Sequence, residues 1–120
     1  MKAVLNSCPR RGLRFPADVL EEALTKYQDK INDNLAIGGL DDWNGDAKLA
    51  SHIVTGVEQY GEDYKVHIET LDTPLGRLLA DAIKDDAPAL CGNLSGGGHA
   101  VDKVVQPGFE LFSINVGVFF

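Results

Sequence analysis

The clearest periodicity in the chain follows Pro16. Val19, Leu20, Ala23, Leu24, Tyr27 and Ile31 recur at three- and four-residue spacing, while Glu21, Glu22, Lys26, Asp29 and Lys30 fill the opposite face. The pattern predicts an amphipathic helix of about four turns, opened by Pro16, whose missing N–H leaves nothing unsatisfied in a first turn. A second helix is signalled more completely. Thr73 serves as N-cap, Pro74 takes the first helical position, Leu75, Leu78, Leu79, Ala82 and Ile83 share a face, and Asp85-Asp86 and Pro88 stop it. Between the helices, residues 48–59 read as one strand, and Tyr64, Val66, Ile68 and Thr70 alternate with Lys65, His67 and Glu69 in the next. Gly61-Glu62-Asp63 reads as the hairpin loop joining them. Residues 2–6 suit a short edge strand, 8–14 are turn-rich, and 32–46 read as a loop carrying Gly38-Gly39. After Pro88 the chain turns β-like: a strand over 89–94, a break at Gly96-Gly97-Gly98, and a strand over 101–105. Pro107-Gly108 then turns into a last strand in which Phe112, Ile114, Val116, Val118 and Phe120 point one way. Two helices among roughly five or six strands predict an α+β domain, a mostly antiparallel sheet or small β-barrel.

Composition narrows the partners. At 120 residues the chain is read as a single domain, 1–120, and 44% hydrophobic with 24% charged residues is the balance of a globular protein. The net charge is −7 and no basic cluster exceeds Arg10-Arg11-Gly12-Leu13-Arg14, which argues against a nucleic-acid partner. Apolar runs are too short for a membrane span, and the N-terminus lacks a signal peptide's long apolar stretch. Cys8 and Cys91 stand far apart in sequence with no partner motif, so both are expected as free thiols of a reducing cytosol.

Little in the spacing announces chemistry. His52, His67 and His99 match no zinc pattern and are expected to be structural or surface side chains. Asp42, Asn44 and Asp46 alternate as in a calcium loop, but Ala47 and Ile53 stand where that loop needs Gly and Glu, so a solvated turn is expected. Ser95-Gly96-Gly97-Gly98 has neither the frame of a nucleophile elbow nor the ending of a phosphate loop. No metal or cofactor is expected.

A resemblance adds what spacing does not. Phe15-Pro16 leads into a helix, and Gly38-Gly39-Leu40-Asp41-Asp42-Trp43 stands where a G-E-L-x-H-P motif is found. Ser51-His52-Ile53-Val54, Tyr60-Gly61, Leu71-Asp72-Thr73-Pro74-Leu75-Gly76-Arg77, and Pro107-Gly108-Phe109-Glu110-Leu111 through Val116-Gly117-Val118 follow in order. Over residues 11–118 the chain resembles the prohead core proteases of tailed bacteriophages, serine proteases similar in fold to the herpesvirus assemblins. The resemblance implies that fold. It also places Asp42 where the family has its general-base histidine, and Asn93, or Gly92 with the register slid by one, where it has the nucleophilic first serine of G-[IV]-S-S-R-G. An amide is no nucleophile, and an ordinary aspartate is a weak base near neutral pH. The resemblance therefore implies a degenerate protease rather than an enzyme. The residues open to a rebuilt site are Ser95 acting with His52 or His67, and Cys91.

The expected role is that of a virion protein of a tailed phage, a capsid decoration or cement protein. It would be made in the host cytoplasm, bind the major capsid protein and associate with itself or in repeated copies. Alternatives are a prohead assembly or scaffold factor, a regulator of a true protease, or a divergent active serine protease. The last strand and the loop over residues 41–46 are candidate contact surfaces.

Overall fold

The computed structural model describes residues 1–9, 12–41, 43–85 and 90–118. Strand β1 (Lys2–Asn6) is followed by helix α1 (Ala17–Asn32), β2 (Ile37–Gly38), a 3-10 turn (Ala47–Leu49), β3 (His52–Tyr60) and β4 (Asp63–Thr70). Helix α2 (Pro74–Lys84) leads to β5 (Leu90–Gly97), β6 (Ala100–Val101), β7 (Val104–Val105) and β8 (Glu110–Val118). The architecture is α+β with antiparallel pairing, as expected. A four-stranded sheet runs β1-β4-β3-β2, and β5 pairs with β8. Two short parallel bridges join these units: Leu40 with Val116, and Ser7 with Gly92. The sheets thereby close into a small barrel.

Side chains explain the closure. Leu5, Val54, Tyr64, Val66, Ile68, Ile114 and Val116 alternate inward and fill the interior, each such burial contributing about 1.5–3 kcal/mol. Helix α1 covers this core with Val19, Leu20, Ala23 and Tyr27, and packs on β3 and β8. Pro16 sits one position before the helix, and the Asp33 N–H closes the other end on Asp29 O at 3.0 Å. Helix α2 lies on β4. Its Thr73 hydroxyl accepts the Gly76 N–H at 2.9 Å, and a Cβ at Gly76 would stand 1.9 Å from Leu71 O. That close approach is the physical content of the Leu71–Arg77 motif: cap, proline, then a glycine against a carbonyl.

Several expectations are corrected. The strand read over 48–59 begins only at His52, because Asp46 caps the 3-10 turn by accepting the Lys48 N–H at 2.9 Å. The loop over 32–46 contains β2. Leu78 is exposed, since α2 buries only Gly76 and Leu79 fully. The glycine run does not break the chain: β5 continues through Gly97, and a Cβ at Gly96 would lie 2.1 Å from Glu110 O, so only glycine lets the strands meet there. Residues 101–105 form a hairpin, with Asp102 and Lys103 turning at φ 50° and 65°. In β8 the register shifts opposite Ser95/Gly96, which puts Leu111 inside and leaves Phe112 53% exposed. Val118 is exposed as well. Arg10, Arg11, Asp42, Asp86, Pro88 and Phe120 lie outside the described residues.

Candidate functional site

Strand alternation on β5 turns Gly92 and Leu94 toward the barrel and Cys91, Asn93 and Ser95 the other way. A Cβ at Gly92 would meet Val66 Cγ2 at 2.9 Å, so this strand lies close over β4. The Tyr64 hydroxyl crosses the interior and donates to Gly92 O at 2.9 Å. From the other side, the chain leaving β2 pairs with β8 through Asp41 N–H to Val116 O (3.0 Å) and Val116 N–H to Gly39 O (2.9 Å). That pairing sets the Asp41 carboxylate over Gly117, where a Cβ would lie 3.1 Å from Oδ2. The Asn93 amide donates to Asp41 Oδ1 at 3.5 Å.

Asp41 and Asn93 line a cleft of about 330 Å3, together with Cys8, Leu13, Phe15, Glu62, Tyr64, Cys91, Leu94 and Gly117. Phe15 is held edge-on to Phe109, ring centres 5.1 Å apart. On the rim Arg14 grips Glu62 with Nε and a terminal nitrogen, the shortest contact 3.0 Å. Asp42, the residue implied as the base position, lies outside the described residues. Its neighbour Asp41 is the carboxylate seen against Asn93.

The cysteines correct the sequence reading. Cys8 and Cys91 form a disulfide across 83 residues of sequence, Cα atoms 4.9 Å apart. The parallel bridge between Ser7 and Gly92 brings them together, and separation along the chain carries no information about that. The bond consumes the Cys91 sulfur as a nucleophile and packs Cys8 Sγ against Gly117, 3.1 Å from a built Cβ.

The other residues singled out stay apart. His52 is 1% exposed, within β3. Its Nδ1 takes a hydrogen bond from the Ser51 hydroxyl at 2.9 Å, and its Nε2–H donates to Ile114 O at 2.8 Å. Burial pulls its pKa below the usual 6.5, the Ile114 carbonyl opposing. It is a satisfied core histidine. His67 stands half-exposed on β4, its Nε2 2.6 Å from Glu58 Oε1, while the Tyr60 hydroxyl donates to the other Glu58 oxygen. The tyrosine and His67 together hold the Glu58 carboxyl below its usual range. Ser95 is exposed opposite Ser113, and among the described residues no hydrogen bond links it to a histidine. His99 lies between β5 and β6. Asn44 and Asp46 spend their oxygens on the Asp46 and Lys48 N–H groups. Among the described residues no cluster of three or more His, Cys, Asp or Glu side chains is arranged to hold a metal ion, and no helix is long and apolar enough to cross a membrane.

Chemically, the described lining offers an amide, two carboxylates, a phenol committed to Gly92 O and a disulfide. It contains no Ser, Thr, His or free Cys. The sequence reading had the Asn93 position and missed Asp41 and the disulfide. The signal for Asp41 was only its adjacency to the Gly38-Gly39-Leu40 motif.

The fold is similar to that of the bacteriophage T4 capsid assembly protease, gp21. The two agree at a TM-score of 0.70 over 98% of this chain and 98% of that chain, with 16% sequence identity. No protein-family model and no curated protein sequence matches the chain.

Proposed function

We propose that the chain is a non-catalytic protein of a tailed-phage head, built on the capsid-protease fold and binding the major capsid protein as a decoration component. The Asp41–Asn93 pair carries this reading. Asn93 lines the cleft at the position where the resemblance puts the nucleophile, beside Asp41, the neighbour of the base position Asp42. An amide has no nucleophilic lone pair to attack with and no hydroxyl proton for a base to take. Losing both members of such a cooperating pair removes nearly all the rate the pair supplies. The disulfide supports a virion location, because such bonds persist on particles outside a reducing cell. The exposed Phe112 and Val118 of β8 and the loop over residues 41–46 are the surfaces offered to capsid subunits or to further copies of the chain.

Quantitative mass spectrometry of purified mature virions tests it. Hundreds of intact copies per particle, in fixed ratio to the major capsid protein, are expected. Presence in proheads but absence from mature heads would replace decoration with an assembly factor or a regulator of a true protease.

A further inference from the structure

Each of the two seams that close the barrel is a short parallel bridge, and a disulfide lies beside one of them. Between β2 and β8, two backbone bonds join the chains, Asp41 N–H to Val116 O and Val116 N–H to Gly39 O. Gly39 N–H also donates to Asn115 Oδ1 at 3.3 Å, and the His52 ring ties β3 to Ile114 O at 2.8 Å. Between β1 and β5, Cys8 N–H to Gly92 O (3.0 Å) crosses the seam, with the Tyr64 hydroxyl reaching the same carbonyl from β4. Past that point Pro9 has no N–H to donate, the cleft opens, and among the described residues no backbone hydrogen bond reaches residues 93–97 from that side. What stands in for the missing ladder is the Cys8–Cys91 bond.

We propose that this disulfide is a redox latch on the β1/β5 seam. Oxidised, it holds the barrel shut beside the cleft. Reduced, it frees the end of β1 from β5 and extends the open β5 edge, already unbridged at residues 93–97, back to Gly92, ready for strand pairing. The reductant is a small thiol of the glutathione class or a dithiol. Its thiolate attacks the Cys8 sulfur, which is partly exposed while Cys91 is buried. A mixed disulfide forms on Cys8 and Cys91 leaves as thiolate. A second thiol resolves the mixed disulfide, and two electrons and two protons end on the cysteines as the reductant becomes its own disulfide. The rest of the barrel keeps its ladders and core, so the change is local.

Native-state hydrogen exchange on the whole chain reads the latch, comparing oxidised protein, dithiothreitol-treated protein and the Cys8→Ser/Cys91→Ser double variant. On reduction the amide of residue 8 is expected to exchange roughly tenfold faster or more relative to the Asp41 and Val116 amides, whose rates rise only with the loss of global stability. The double variant is expected to match the reduced protein with and without reductant. Unchanged exchange at residue 8, equal acceleration at both seams, or loss of the fold on reduction would each overturn the latch. So would two free thiols in protein purified and stored in air.

Discussion

Removing the Cys8–Cys91 bond should cost more stability than any single surface change. The bond closes a loop across 83 residues, and the chain-entropy relation for that length gives about 4.5 kcal/mol at 25 °C. Residual contacts in the unfolded chain reduce such figures, so about 3–4.5 kcal/mol is the expected loss. An unfolding entropy of about 2.1 cal/mol/K per residue amounts to about 0.25 kcal/mol/K for 120 residues. The melting temperature of the Cys8→Ser/Cys91→Ser variant should therefore fall by about 12–18 °C. Calorimetry on oxidised wild type and the variant measures the shift, and urea titration should show a lower midpoint with a slope no smaller than wild type. A shift under about 4 °C, equivalent to about 1 kcal/mol, would refute the reasoning, because the bond would then place little restriction on the unfolded chain.

Three further outcomes follow from single side chains. His52 is buried neutral with its pKa lowered below 6.5, so the unfolded chain takes up the proton first as pH falls. Its contribution is complete above pH 6.5 and is lost toward the folded pKa at up to about 1.4 kcal/mol per pH unit. Denaturant melts across pH should show that slope in wild type and lose it in His52→Gln. Gly76→Ala puts a methyl 1.9 Å from Leu71 O, and chemical denaturation should show a loss of about 1–3 kcal/mol despite alanine's better helix propensity. The buried Tyr27 hydroxyl lies near the Ile114 backbone but makes no well-formed hydrogen bond among the described residues, so Tyr27→Phe should leave stability unchanged or raise it by up to about 1 kcal/mol. A loss above that size would show that the hydroxyl is satisfied.

The parts of the fold legible in sequence are those decided locally. Thr73 and Pro74 mark a helix start because capping and proline geometry need only neighbouring residues, and β4 shows its alternation because one face meets the core and the other water. The α1 stripe was legible for the same reason. What was hidden depends on contacts between distant segments. The shift opposite Ser95/Gly96 turns Phe112 outward, although the alternation of β8 alone puts it with Ile114 and Val116. The Asp102-Lys103 turn uses left-handed conformations without glycine. Cys8 and Cys91 meet because the end of β1 crosses to β5, which no spacing rule encodes. At the site, the resemblance pointed to the loop after β2 and to β5, and Asn93 lines the cleft. Which carboxylate faces it, Asp41, is set by pairing with Val116 on β8.

The claim on which the functional reading depends is that this capsid-protease fold does not cut. Purified chain, oxidised and reduced, incubated with unprocessed major capsid protein and followed by intact-mass spectrometry, tests it most directly. The account predicts that capsid protein and chain both keep their full masses through prolonged incubation. Cleavage at a defined bond, lost in Ser95→Ala, Cys91→Ala or a folded His52→Ala variant, would contradict it and establish a rebuilt catalytic site.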